Sequence, residues 1–315
     1  MVTDHYFGVT QGAKNVDLFM FTPCVSSPMG PGSDSEPIPF KFGELDTYLV
    51  DSSQFGFEPL LLNGLDKVYC YLPSMRGEDS DYRHLNQFFH CEMEIRGELD
   101  MLIPIIERYV KVLAEALLRM ENMLRKISQA HEKAFQNLEN VLEVENFPEI
   151  SFDEAVEVLE KDNKHQYVNY TEHGNDISSD GEIELMRILQ VKTPIWVKYY
   201  HRDRVPFYQK PDASGHKVLN ADLLFPPIID GSFGGEIVGC GQRQNNVEEL
   251  YESIKRQKLD AAPYEWYIDL RRMPNYSATS GFGMGIERFI SWAILRQNIR
   301  DAVLYPRLKN ALTYP

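Results

Sequence analysis

"MRGEDSDYRHLNQFFHCEMEIRGE" (75–98) gathers Arg76, Arg83 and His84 around one short polar turn and then runs into Glu92 and Glu94. Its second half, "LNQFFHCEMEI", alternates roughly in and out, as a strand with one functional face does. Charges of both signs this close together are the question the segment raises. Immediately upstream, "KVYCYLPSMRG" reads as a partner strand, and "TYLVDSSQF" as another.

Working outward, "NVDLFMFTP" (15–23) predicts a buried strand ended by Pro23, and "SSPMGPGSDSEPIP" (26–39) a mobile loop. From Pro104 to about Leu142 apolar residues recur at helical spacing: Leu102, Ile106, Val110, Leu113, Leu117, Leu124 and Ile127. Pro104 suits a first helical turn. This stripe is core or dimer packing. Ser151 and Glu154 stand at capping-box spacing and open a short helix. Residues 163–181 read as a surface loop. "TPIWVKYY" and "HKVLNADLLF" read as strands, and "NVEELYESIKRQ" as an amphipathic helix. "YEWYIDLRR" is strand-like, and "GFGMGIERFISWAIL" a loop running into a helix. Strands interspersed with helices, without regular βαβ alternation, predict an α+β fold on an antiparallel sheet, in one domain over 1–315.

The 315 residues are 43% hydrophobic and 25% charged, an ordinary globular balance. No apolar run reaches membrane-spanning length, and the N-terminus lacks a signal-peptide pattern. Cys24, Cys70, Cys91 and Cys240 are scattered, which points to reduced thiols and a cytoplasmic protein. The net charge of −15, with no Lys/Arg-rich block, argues against tRNA or DNA as a main partner.

"GFGMGIERF" (281–289) has G-x-G-x-G-x-E-R spacing and no βαβ unit behind it, so it is not a dinucleotide fingerprint. An arginine behind such glycines can lie against a planar base or reach a phosphate. Together, "RGEDSDYRHLNQF" and "SGFGMGIERF" resemble motifs 2 and 3 of class II aminoacyl-tRNA synthetases. "SSQFGFE" (52–58), "EIVGCGQR" (236–243) and "YEWYIDLRR" (264–272) narrow the resemblance to the aspartyl/asparaginyl branch, and within it to asparaginyl enzymes, over about residues 15–308.

The resemblance implies a class II synthetase-like fold: a mostly antiparallel sheet flanked by helices, pairing as a homodimer through the segment around Pro23. It implies ATP and Mg²⁺, and attack of an amino-acid carboxylate on the α-phosphate. Arg76 would bridge that phosphate and the carboxylate, with Arg288 the second catalytic arginine. Glu78 would contact ATP near adenine, and Arg83 and His84 would face the outer phosphates. Phe88 and Arg288 would sandwich the base, and Asp222 and Glu236 would hold Mg²⁺, for which hard oxygens suit. In the amino-acid pocket, Gln54 and Glu36 would take the ammonium, and Arg243 the side-chain end. Glu92 stands where asparaginyl enzymes carry glutamate, and Phe57 where aspartyl enzymes carry lysine.

Three departures shape the functional expectation. The anticodon-binding domain of the tRNA synthetases is expected to be missing. Ala278-Thr279 replace the family's Pro-His, and "FPPIIDGSFGGE" lengthens the link between the metal carboxylates. The expected function is an AMP-forming ligase that activates aspartate or a relative and passes it to ammonia or a small amine, like the archaeal asparagine synthetases that resemble this branch. Aminoacyl transfer to tRNA or protein, or a silent regulatory paralogue, are the alternatives.

Overall fold

The computed structural model describes residues 1–28, 30–31 and 35–314. The chain opens with α1 (Val2–Asp4), which continues into a π-helical turn over His5–Thr10 that buries Tyr6 and Phe7. Short strands β1 (Lys14–Asn15) and β2 (Phe21–Thr22) follow, then the hairpin β3 (Pro39–Phe42) and β4 (Leu45–Leu49). Helix α2 (Gln54–Leu62) leads to the long pair β5 (Lys67–Met75) and β6 (Gln87–Arg96). Three helices come next, α3 (Leu99–Leu118), α4 (Glu121–Ile127) and α5 (His131–Glu143). Strand β7 (Glu149–Ser151) leads directly into α6 (Phe152–Lys161). The hairpin β8 (Val168–Thr171) and β9 (Gly174–Ile177) precedes α7 (Ser179–Leu189). Strands β10 (Ile195–Lys198), β11 (Asn220–Phe225) and β12 (Gly235–Gln242) complete the middle of the chain. Helices α8 (Val247–Arg256) and α9 (Glu265–Asp269), strand β13 (Thr279–Gly285) and helix α10 (Ile286–Ala293) finish the set.

Eight of the described strands make one sheet in the order β1-β5-β6-β13-β12-β11-β10-β7. The six inner strands are antiparallel to their neighbours, and only the two edge strands pair parallel. The predicted α+β class therefore holds. One face carries the main core, where α3 and α10 pack Leu102, Ile106, Tyr109 and Trp292 against Met93, Phe282 and Met284. The opposite face of the inner strands is left for ligands.

Several local expectations change. The strand expected over 15–23 is two short pieces, and Phe19, Met20 and Phe21 between and on them are exposed, not buried. The long helical pattern is three helices, broken at Met120 and Ala130. Pro104 is the sixth residue of α3, beyond its first turn. The stretch 163–181, expected to be a loop, holds the β8–β9 hairpin and the start of α7. "YEWYIDLRR" is α9 with short 3₁₀ turns at both ends rather than a strand. The capping box of Ser151 and Glu154 is present, with the Glu154 amide donating to Ser151 Oγ at 3.2 Å. Part of the loop expected over 26–39, residues 29 and 32–34, lies outside the described residues.

Candidate active site

The glycines of "GGEIVGCGQR" and "SGFGMGIER" make the floor of the site. They alternate, so Val238, Cys240, Phe282 and Met284 face the core while Gly239, Gly241, Gly281 and Gly283 face outward. The register aligns them into two rows across the sheet. One row reads Glu92, Gly283, Gly239, Asp222, and the next reads Glu94, Gly281, Gly241, Asn220. Polar side chains on the outer strands can then lean over a bare centre. A Cβ at Gly281 would collide with Glu94 Oε2, with Arg243 Nη2 at 2.5 Å and with Gln54 Oε1 at 2.7 Å. One at Gly239 would stand 3.2 Å from Glu236 Oε1 and 3.3 Å from Asp222 Oδ1.

The segment expected to be a loop before α10 is therefore β13 itself. Glycine is a poor strand former. Pairing on both sides, to β6 and β12, overrides that weakness.

At one end of the floor, Arg243 and Glu94 form a forked pair at 2.9 and 2.8 Å, with relative exposures of 4% and 0%. Burial lifts the Glu94 carboxyl to about 7 against the pull of Arg243. Gln54 also accepts from Arg243 Nη2 and donates to the Phe282 carbonyl at 2.7 Å. The Tyr208 ring lies 5.2 Å from the Arg243 guanidinium carbon. Glu92 accepts from Ser52 Oγ and from the Ser53 amide at 2.8 Å, and burial raises its pKa. A second buried pair, Arg271 with Glu58 at 2.8 Å, carries Tyr267 and Tyr276. Phe57 packs with Leu61, Val68 and Cys70, so no cation stands there.

Of these groups Arg243, Gln54, Glu92, Ser52 and Tyr208 line a cavity of about 360 Å³ that also includes Arg76, Asp222 and Glu236. It joins a smaller one of about 100 Å³ lined by Glu78, His84, Phe88 and Arg288. Arg76, His90, Glu236 and Gly283 belong to both. Arg76 stands 5.5 Å from the Phe88 ring, and its buried Nε has no partner among the described residues. Arg288 Nη1 reaches Glu236 Oε2 at 3.2 Å and the Glu236 carbonyl at 3.1 Å. Glu78 Oε2 accepts from the Glu36 amide at 3.2 Å. His84 bonds Asp81 at 2.9 Å, and burial, with the nearby Arg288 charge, lowers its pKa.

Two expected residues face elsewhere. Arg83 lines the smaller cavity, but its guanidinium is spent inside the protein. It donates to the Gly234 carbonyl at 2.5 Å, pairs with Glu182 at 3.6 Å and sits 5.2 Å from the Phe233 ring. Glu36 lines neither cavity and pairs with Lys309 at 3.1 Å. Gln54 reaches the larger cavity with both ends of its amide engaged.

Asp222 and Glu236 converge over Gly239. Glu182, from the first turns of α7, joins them, its Oε2 accepting from the Glu236 amide at 2.9 Å. Burial, then the charges of Glu236 and Glu182, push the Asp222 carboxyl well up. Burial also lifts Glu182 to about 7. Crowded carboxylates of this kind suit a divalent cation with oxygen ligands. Among the described residues no group of three or more His, Cys, Asp or Glu side chains is arranged to hold a metal ion.

Sequence reading left four residues without a role. Glu94 shares the face of Glu92 by strand alternation, a signal that would have found it. His90, also on that face, links the two cavities, hydrogen-bonded to Ser74 Oγ at 2.9 Å. Burial, with Arg76 and Arg288, holds its pKa well below 6.5. Glu58 lies in "SSQFGFE" with no local signal for its pairing, and Glu182 sits in a stretch that resembles a loop.

The description "tRNA synthetases class II (D, K and N)" matches residues 19–309. The asparagine–tRNA ligase of Thermococcus gammatolerans is 34% identical over 278 residues, covering 87% of this chain and 60% of that protein. That of Mycoplasma pneumoniae is 31% identical with the same coverage. The asparaginyl-tRNA synthetase of Pyrococcus horikoshii, solved with asparaginyl-adenylate, superposes with a TM-score of 0.86 at 29% identity. That match covers all of this chain and 67% of that one. This chain thus spans about 60% of the length of these curated relatives. With the motifs in order along one glycine floor, the chain belongs to the class II tRNA synthetase family of the D, K and N type.

Proposed function

We propose that the chain activates the carboxylate of a small amino acid of the asparagine or aspartate type as an acyl-adenylate, using ATP. The observation that carries this is the position of Arg76 where the two cavities meet. One holds the Arg243–Glu92 end and the other holds Phe88 and Arg288. A carboxylate oxygen would attack the α-phosphorus and pyrophosphate would leave. Arg76 would hold the oxygens of both partners with its planar fork. Asp222 and Glu236 would hold Mg²⁺, which when bound offsets phosphate charge.

At the other end, Glu92 asks for an N–H donor and Arg243 for an acceptor. The side-chain amide of asparagine offers both. An aspartate carboxylate in the same orientation would face Glu92 and an arginine already neutralised by Glu94. Amino-acid-dependent ATP–pyrophosphate exchange tests the reading, and absence of exchange with both asparagine and aspartate would end it.

A second reading concerns aspartate turned around, with its α-ammonium on Glu92, its α-carboxylate on Arg243 and its β-carboxylate at Arg76. It is favoured by the residues expected to hold the ammonium in the usual orientation. Gln54 has one bond at each end of its amide, its Oε1 already taken by Arg243, and Glu36 is held by Lys309. Ammonia would then attack the β-acyl carbon, AMP would leave with the anhydride oxygen, and the spare proton would pass to a nearby carboxylate, giving an amide. Mass analysis of products with aspartate and ammonium separates this from transfer to tRNA. The relatives' names point to tRNA, and the net charge of −15 disfavours it. A homodimer is the expected assembly, with the exposed Phe19, Met20 and Phe21 near Pro23 as the apolar face. Light scattering at micromolar concentration checks it.

A further inference from the structure

Next to the Arg243 end, the larger cavity is lined by Gln209 and Asn220, and both have amide atoms without a partner among the described residues. Gln209 is 9% exposed, and neither end of its amide makes a hydrogen bond among the described residues. Its Oε1 is fully buried. Asn220, 3% exposed, uses Oδ1 to accept from the Tyr200 amide at 3.0 Å, and its Nδ2 has no protein partner among the described residues. Both residues line the cavity. Buried polar groups left like this are costly, and native sites keep them where a ligand satisfies them.

Gln209 is held in place by its neighbours. The segment around it is pinned to the end of β12. Lys210 donates to the Gln242 carbonyl at 2.9 Å, Gln244 donates to the Tyr208 carbonyl at 2.8 Å, and Gln209 bridges Arg243. Its amide rests directly on Gly241, where a Cβ would run into Oε1, with Cδ at 2.7 Å and Nε2 at 2.9 Å. Gly241 is the cross-strand partner of Gly281, over which Arg243, Glu94 and Gln54 sit, and of Asn220 on its other side. Such partners lie roughly 5 Å apart. The Gln209 amide is therefore one strand over from the group that receives the substrate's far end.

We infer that Gln209, admitted by Gly241 and assisted by Asn220, determines substrate specificity by binding a further polar substituent. The substrate class is an asparagine- or aspartate-like amino acid with an added hydrogen-bonding group at or beyond its β-carbon. Arg243 and Glu92 already account for an unsubstituted amide or an ammonium–carboxylate pair. Gln209 Nε2 and Asn220 Nδ2 add donors, which a hydroxyl or the carbonyl oxygen of a substituted amide matches. This rests on the adenylation reading of the same cavity.

The test compares asparagine and aspartate with their 3-hydroxy and Nγ-substituted forms in ATP–pyrophosphate exchange. It uses the wild-type chain and the variants Gln209→Met and Gly241→Ala. Gly241→Ala would push the Gln209 amide aside, so it disrupts the same contact without replacing Gln209. The wild type is expected to favour a substituted form by roughly tenfold in kcat/KM, the scale of one good hydrogen bond. Both variants should bring that ratio to about one and leave KM for ATP unchanged. A wild-type ratio near one for every substituted form, or a preference that survives both variants, overturns the inference. If no amino acid drives exchange, the adenylation reading fails instead. Calorimetric binding of the same amino acids to wild type and Gln209→Met then decides the inference alone, since a lost preference supports it and an unchanged one rejects it.

Discussion

The two ends of the site are built on opposite terms. At the amino-acid end the charges are paired before any ligand arrives: Arg243 with Glu94, Arg271 with Glu58, all nearly or fully buried. At the nucleotide end Arg76 has a buried Nε with no partner among the described residues, and Arg288 holds Glu236 by a longer, partly exposed contact. The difference follows from what each end must bind. A small neutral or zwitterionic group is recognised by donors and acceptors held at fixed positions, so the guanidinium must be immobilised in advance. Phosphates bring their own negative charge, and the arginines that meet them are best left without strong internal partners.

The sharpest way to break this comparison is to remove one member of a pair at each end. Glu94→Ala leaves Arg243 buried and uncompensated and should cost about 3–5 kcal/mol of folding stability. Glu236→Gln, at the more exposed pair, should cost less than about 1 kcal/mol. Urea unfolding of both variants measures this, and equal losses would erase the distinction between the ends.

Arg76→Ala should reverse the pattern, with little change in stability and adenylate formation down by about 10²–10³-fold. Single-turnover measurement of the adenylate checks it. Near-normal formation would remove Arg76 from its assigned role.

A smaller effect concerns His90, which is buried neutral between the ends. Its folded pKa lies well below the unfolded 6.5, so protonation favours the unfolded chain. Its contribution to stability is present above pH 6.5 and is lost as pH falls below that value. Replacing it by Asn should flatten the decline in urea midpoint between pH 7 and 5, and an unchanged slope would assign the decline to other groups.

The smallest effect is expected of Glu36→Gln. With the side chain on Lys309, the change should cost no more than about 1 kcal/mol and leave KM for the amino acid unaltered. A large rise in that KM would show that the loop swings Glu36 into the cavity when substrate binds, as the family resemblance implies.

What could be read without the structure was the order of motifs and the residue types they carry. Arg76, Phe88, Glu92, Asp222, Glu236, Arg243 and Arg288 all line the joined cavities. Strand alternation also placed Glu92 on a functional face, because side-chain direction in a strand is a local property.

Tertiary structure decided the rest, for reasons that local sequence does not hold. The glycine run of β13 has weak strand propensity and becomes a central strand only because β6 and β12 pair with it. "YEWYIDLRR" has the aromatic content of a strand, yet Tyr267 stacks on Phe55 at 4.3 Å and Arg271 turns back to the Tyr267 carbonyl, which a helix alone allows here. Partner choice is the clearest case. Arg83 and Arg76 are both arginines of one polar turn, but Glu182, 99 positions after Arg83 and in a different element, takes only Arg83. An arginine's charge is written in its residue type, but the carboxylate that neutralises it is set by which distant strand or helix the fold brings alongside.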